Sequence, residues 1–224
     1  MLRMTDIREE IIRLVKDSTK AIGEVQEATE RTFRVKLNIE NARKMGLRPS
    51  IGDFLILEGD NEYPVGVVYS IETKSNIPVT ELIEATREQR TKIYYEPPAV
   101  ILSALISGYF DERDGKFYQE LPNESILPDD LAFYISNLET AILNLHCSEA
   151  LRINYLPHLQ ELVSDRDVIK VWIRKLSRVL SKERISKEEF LFAAFEAYKR
   201  SGRIEKKLPQ ILDLIQLIDE VWKL

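Results

Sequence analysis

The feature that most constrains this chain is a change in the spacing of its apolar residues. Apolar and polar residues alternate with a period of two in residues 22–25 and 33–39, and two further short apolar runs, 54–57 and 65–71, are separated by segments rich in glycine, proline and aspartate; both patterns are typical of β-strands. After Pro128, glycine occurs only once more, at Gly202, and apolar residues recur every three or four positions, which is typical of amphipathic helices. We therefore predict an α+β fold: a small six-stranded antiparallel β-barrel followed by an all-α helical domain.

The same patterns predict where each element and domain begins and ends. The predicted strands cover residues 22–25, 33–39, 54–57, 65–71, 99–110 and 117–121, with a hairpin turn at 111–116. The predicted helices cover residues 5–18, 129–147, 150–163 with a bend or break at Pro157, 165–181, 186–200 and 207–223, and a short helix or structured loop is predicted at 78–93. The predicted domains are an N-terminal helix (1–18), a barrel (19–127) and a helical domain (128–224).

Several classes of protein are disfavoured by composition. The chain has no run of eighteen apolar residues, and its first residues lack the uninterrupted apolar stretch of a signal peptide, so we expect a cytoplasmic protein with no membrane partner. It contains one cysteine and two histidines, too few for an intramolecular disulfide or a Cys/His zinc site. We expect no metal and no cofactor.

A family resemblance lies in the predicted barrel. It is carried by the segments Ile22-Gly23-Glu24-Val25, Phe33-Arg34-Val35, Ile51-Gly52-Asp53-Phe54-Leu55-Ile56-Leu57 and Val65-Gly66-Val67-Val68-Tyr69-Ser70-Ile71. They resemble the HAS barrel, the small N-terminal barrel of HerA-type DNA-translocating ATPases that also heads the rotary ATP synthase α and β subunits. Translation-factor-like and PRC-type barrels share short strands with Gly-Asp turns.

The resemblance implies an assembly role and not ATP hydrolysis. In the family, such barrels line up around a ring and offer a docking face to accessory proteins. The larger members carry an ATPase domain after the barrel, but this chain has no G-x-x-x-x-G-K-[ST] loop to hold phosphates. The resemblance therefore implies a free-standing, non-catalytic adaptor that binds a protein partner, with a HerA-like ring ATPase complex acting on DNA as the specific candidate.

A basic stripe is the sharpest local pattern in the helical region. Residues 166–207 contain 13 Lys and Arg against 6 Asp and Glu. Five basic residues spaced four apart form a slanted stripe along one predicted helix: Arg166, Lys170, Arg174, Arg178 and Lys182. Such a stripe suits a solvated outer face, an acidic protein partner or a phosphate backbone. Nucleic-acid binding through helix 165–182 is therefore an alternative function.

The last predicted helix is apolar around more than one face, whereas a surface helix needs only one apolar stripe. Either the helix lies deep in a helical bundle, or its second face is a protein interface. In the second case we expect contacts from Ile218, Val221 and Trp222, with the tryptophan as anchor.

Enzyme motifs are missing, so we predict that the protein is not an enzyme. His146 and Cys147 are adjacent on a predicted helix and point about 100° apart, which does not suit a nucleophile and its base. Asp111, Glu112 and Asp114 could hold a cation but better fit a hairpin tip. Asp129–Asp130 suits the start of a helix. A nuclease with dispersed carboxylates is the enzymatic alternative.

Overall fold

The computed structural model describes residues 4–74, 98–135, 151–182, 185–202 and 207–222. The strands are β1 (Gly23–Ala28), β2 (Thr32–Leu37), β3 (Phe54–Leu57), β4 (Glu62–Lys74), β5 (Ala99–Asp111), β6 (Lys116–Tyr118) and β7 (Leu131–Tyr134). The helices are α1 (Met4–Val15), α2 (Ile39–Lys44), α3 (Leu156–Leu162), α4 (Arg166–Lys182), α5 (Lys187–Arg200) and α6 (Leu208–Trp222), with a 3-10 turn at Ser18–Lys20.

The strands form the predicted closed, six-stranded antiparallel barrel. Its strand order is β2-β1-β7-β3-β4-β5, and an antiparallel pairing between β2 and β5 closes the ring. Closure gives every strand of the barrel a hydrogen-bonded neighbour on both sides. Strand β6 lies outside the ring because it pairs with β5 only, through the hairpin predicted at 111–116.

The sixth barrel strand is β7, and its position corrects the sequence prediction in two ways. Residues 131–134 were expected to open a helix at 129–147, but they pair with β1 and with β3 instead. The barrel therefore continues past residue 127, and the predicted return strand at 117–121 contributes only the outer β6. Asp129–Asp130 leads into a strand, not a helix; the Asp130 carboxylate accepts a hydrogen bond from the Leu127 amide at 2.7 Å.

Other boundaries follow the predicted pattern with local changes. Ile39, expected at the end of a strand, begins α2 because the Asn38 side chain caps that helix. Pro157 lies in the first turn of α3, where its missing N–H costs nothing.

The predicted helix or loop at 78–93 and residues 136–147 of a predicted helix lie outside the described residues. Among the described helices, none combines the length and apolar character needed to cross a bilayer.

Two apolar layers hold the molecule together. One fills the barrel with inward side chains, including Phe33, Val35, Leu55, Leu57 and Leu102. The other joins the outer face of the barrel to the helices and includes Phe54, Ile56, Val67, Ile173 and Leu217. Consecutive residues of β3 therefore point into different layers, as expected for a strand that is buried on both faces.

An aromatic ladder links the barrel to the last helix. Phe54 of β3 meets Tyr155 edge-on, with ring centroids 6.0 Å apart, and Tyr155 meets Trp172 of α4 at 5.9 Å. Trp172 continues to Phe190 of α5 at 6.2 Å, and Phe190 meets Trp222 of α6 at 5.3 Å. Because each ring touches the next, the barrel sets the positions of α4, α5 and α6.

Candidate protein-binding face

Helices α5 and α6 run antiparallel, and contacts at both ends define their register. Lys187 at the start of α5 forms an ion pair with Asp219 near the end of α6. At the other end, the ammonium of Lys207 lies 6.0 Å from the centre of the Tyr198 ring. The start of α5 is set by a capping box, in which the Ser186 side chain accepts from the Glu189 amide and the Glu189 carboxylate accepts from the Ser186 amide.

The inner side of α6 contains two of the residues that were predicted to form an interface. Ile218 and Val221 are buried within the chain's own core, so their side chains do not line its surface. Trp222 is half-buried and packs on Phe190. The buried stripe of α6 consists of Ile211, Leu214, Leu217, Ile218 and Val221.

A second apolar stripe of α6 faces outward. Leu208, Leu212 and Ile215 are exposed, and Leu212 leaves 59% of its surface accessible. Their spacing of four and three places them on one side of the helix. The same spacing is visible in the sequence. Dividing the apolar residues of the last predicted helix into two stripes would have identified these three residues.

Helix α5, which packs on α6, also exposes two aromatic side chains, and the first of them lines a groove with Leu151 and Arg152. Phe192 is 68% exposed and Phe195 is 47% exposed. The antiparallel register places Phe195 level with Leu212. Asp219, which contacts α5, follows Leu212 by seven residues and so lies on the same side of α6. We name the resulting set the α5–α6 apolar face: Phe192, Phe195, Leu208, Leu212 and Ile215.

The predicted basic stripe on α4 is partly neutralised by α6. Arg166 Nε lies 2.9 Å from Asp213 Oδ1, and the Lys170 ammonium lies 2.8 Å from Glu220 Oε2. The hydrogen bond from Lys170 holds the pKa of Glu220 below its usual value. These two cations are therefore directed at an acidic side of α6 and not at solvent alone.

Two further members of the basic stripe, Arg174 and Arg178, differ in exposure. Arg174 is half-buried, and its Nε is a buried atom with no hydrogen-bond partner in the described part of the chain. Arg178 is exposed and makes an interaction within the chain, while the Lys182 side chain lies outside the described residues. Among the members whose side chains are described, Arg166 and Lys170 are therefore paired with α6, whereas Arg174 is half-buried and Arg178 is exposed.

Carboxylates near the predicted hairpin tip are held by protein groups. Asp111 forms a two-point interaction with the Arg113 guanidinium, and its pKa is lowered by that hydrogen bond. Glu112 accepts from Lys16 and Tyr63. The hairpin assignment is confirmed by the pairing of β5 with β6. His146 and Cys147 lie outside the described residues.

The fold and the site define a closed barrel with a packed helical layer that exposes an apolar helix pair. No protein-family model matches the chain, and no curated protein matches it.

Proposed function

We propose that this protein is a non-catalytic cytoplasmic adaptor that binds a protein partner through the α5–α6 apolar face. The observation that carries the proposal is the exposure of five large apolar side chains on two adjacent helices. Apolar residues clustered in this way lose contact with water when a partner covers them, whereas scattered ones do not mark a site. The proposal moves the predicted interface from the inner to the outer side of α6.

The partner that we propose is a ring ATPase of the HerA type, or a complex that contains one and acts on DNA. The resemblance of residues 22–71 to the HAS barrel supports this choice, and a closed barrel is the architecture that the resemblance implies. The barrel would dock beside the barrels of the ring, and the helical layer would supply the second contact. The two contacts together would give a tighter complex than either one alone.

The binding mode that suits the α5–α6 apolar face is a helix or a shallow apolar groove on the partner. Two antiparallel helices present a ridge whose aromatic side chains can insert between the partner's residues. Phe192 and Phe195 are the proposed anchors, because aromatic residues contribute most when an interface buries them.

The test is binding of the intact protein to a purified HerA-type ring ATPase encoded by the same genome, measured by calorimetry. The variant Leu212→Ala should weaken binding about tenfold, since losing one buried leucine from an interface costs about 1.5 kcal/mol. Phe195→Ala should weaken it at least as much. Alanine preserves the helices, so the variants should unfold like the parent.

The matched control is Leu162→Ala, because Leu162 is an exposed leucine, 43% accessible, at the end of α3, outside both the barrel and the α5–α6 apolar face. Loss of affinity in Leu212→Ala with full affinity in Leu162→Ala supports the proposal. Equal affinities of all variants would refute the apolar face as the contact. Light scattering of the protein alone shows whether a second copy covers this face instead.

A further inference from the structure

A cleft between the barrel and the helical layer gathers two arginines and a histidine from three elements that are distant in sequence. Its volume is about 240 Å³. Arg31 enters from the turn between β1 and β2, His158 from α3 and Arg200 from the end of α5. The acidic group on the lining is Glu120, so the two arginines leave a surplus of one positive charge before His158 is protonated.

The two arginines are available to a ligand. Among the described residues, neither side chain forms an ion pair or a hydrogen bond, and both residues are exposed. The backbone beneath Arg31 is held in place, because its carbonyl accepts from the Ile106 amide at 2.8 Å and its amide donates to Thr29. The guanidinium can therefore move toward a ligand while its attachment point stays still.

The opposite wall of the cleft is built by Gln119. Its side-chain amide donates to the Arg152 carbonyl at 2.6 Å, and its oxygen accepts from the Asn154 amide at 2.7 Å. This pair of hydrogen bonds ties the segment after β6 to the segment before α3. The cleft is thus a feature of the packed fold and not a gap between loose segments.

His158 is oriented by a carboxylate on its own helix. Its Nδ1 lies 3.3 Å from Glu161 Oε2, and the other oxygen of Glu161 lies 2.7 Å from the buried ammonium of Lys207. Because Nδ1 is engaged, Nε2 is the ring nitrogen available to a ligand in the cleft. The ion pair with Lys207 therefore fixes the Glu161 carboxylate, and this carboxylate fixes the orientation of the imidazole.

We propose that this cleft binds a compact oxyanion, of the phosphate or carboxylate class, between Arg31, His158 and Arg200. Guanidinium groups donate parallel hydrogen bonds to such oxygens, and the imidazole adds a further donor when it is protonated. The site is independent of the α5–α6 apolar face, so either proposal can fail without the other.

The local charges give the site a pH dependence. Burial first, and then the charge of Arg31, lower the pKa of His158 from its ordinary value of 6.5, and Lys207 acts in the same direction. Glu161 opposes this shift. Glu120 and Arg200 are the other charged groups on the cleft. A bound anion favours the imidazolium, so binding raises this pKa and affinity increases as the pH falls.

The test is calorimetric titration of the intact protein with inorganic phosphate and, separately, with acetate. We expect saturable binding to one site, weakened about tenfold by Arg31→Gln and by Arg200→Gln, because each removes a charge-assisted hydrogen bond. Tighter binding of phosphate assigns the phosphate class, and tighter binding of acetate assigns the carboxylate class. The control is Arg43→Gln, which alters an exposed arginine on α2 that does not line the cleft.

A second measurement follows the imidazole itself by NMR. The chain has two histidines, and His158→Gln identifies the signal of His158 by its loss. Saturating anion should raise the titration midpoint of that signal, and the rise should disappear in Arg31→Gln. The proposal is overturned if neither anion binds saturably, or if Arg43→Gln weakens binding as much as the two cleft variants.

Discussion

Lys175 of α4 donates a hydrogen bond to Asp53 at the entry to β3, with 2.5 Å between the ammonium nitrogen and Oδ1. The other oxygen of Asp53 accepts from the backbone amide of Ser50 at 2.7 Å, and the Lys175 ammonium also donates to the Ser50 hydroxyl at 2.6 Å. One carboxylate therefore shapes the turn before β3 and ties the helical layer to the barrel. Gly52 lies against the backbone of Trp172 at this junction.

The first prediction concerns this ion pair. Lys175→Met should lower the free energy of unfolding by about 2 kcal/mol, because it leaves the largely buried Asp53 carboxylate without its cation. Urea unfolding measures the change. Lys44→Met is the control: its pair with Glu40 is exposed on both sides, so its loss should leave the free energy of unfolding nearly unchanged. Equal effects of the two variants would contradict a junction role for Lys175.

The second prediction concerns close packing inside the barrel. A methyl group on Gly66 would lie 2.4 Å from the Phe33 ring, and that ring is fully buried. Gly66→Ala should therefore cost about 2 kcal/mol of stability through overpacking. Phe33→Leu removes the ring atoms that the methyl would meet, so the double variant should be more stable than the sum of the two single changes predicts. Simple additivity in urea unfolding would disprove the contact.

The third prediction is a dependence of stability on acid. Hydrogen bonds from Lys16 and then from Tyr63 hold the pKa of Glu112 below its ordinary value of 4.5. A carboxyl whose pKa is lowered by folding stabilises the fold above its unfolded pKa, and that stability is lost as the pH falls through its folded pKa. Below about pH 4.5, Glu112→Gln should therefore lose less stability with acid than the parent.

Urea unfolding at several pH values from neutral to acid measures the effect of Glu112→Gln. The exposed Glu30 provides the control variant Glu30→Gln, which should follow the parent curve. Parallel curves for all three proteins would show that Glu112 does not contribute to acid sensitivity.

The fourth prediction concerns nucleic acid. Because Arg166 and Lys170 are paired with acidic residues of α6, the stripe on α4 lacks a continuous row of cations. We expect the double variant Arg174→Glu/Arg178→Glu to leave affinity for double-stranded DNA unchanged in fluorescence anisotropy at several salt concentrations. Salt-sensitive binding that the double variant weakens would favour the nucleic-acid alternative, since phosphate contacts release counterions.

The nuclease alternative is addressed by the same preparations. Incubation of DNA with the protein and a divalent metal should yield no cleavage above that of a mock purification. Cleavage that disappears when a carboxylate is substituted would establish an enzyme.

Much of the architecture could be predicted from local pattern. The period-two alternation in β1 and β2 reflects strands with two distinct faces, the short apolar run of β3 reflects a strand buried on both faces, and the Asp114-Gly115 turn reflects a hairpin whose glycine has φ of 70°. The start predicted for the helix at 186–200 lies within one residue of the observed start of α5 at Lys187, where Ser186 and Glu189 form a capping box. Each of these features depends on residues that are close together in the sequence, so each could be predicted from the sequence alone.

Residues 131–134 show where local pattern fails. Their apolar side chains suit a helix or a strand equally, and the gap in the barrel between β1 and β3 selects the strand. Backbone hydrogen bonds to two distant strands decide between these two conformations. The sequence could not reveal that gap, because the partners of β7 lie more than seventy residues upstream.

The candidate functional surfaces also have some features that could be predicted from the sequence and others that depend on tertiary packing. The sequence by itself determined that α6 carries more apolar residues than one buried stripe requires, and that α4 carries a row of cations. Only the tertiary structure decided that Ile218 and Val221 face the core, that Leu212 faces outward, and that Arg166 meets Asp213. The physical reason is that composition and spacing set the number and angular positions of the side chains on a helix, whereas packing against the barrel decides which side is covered.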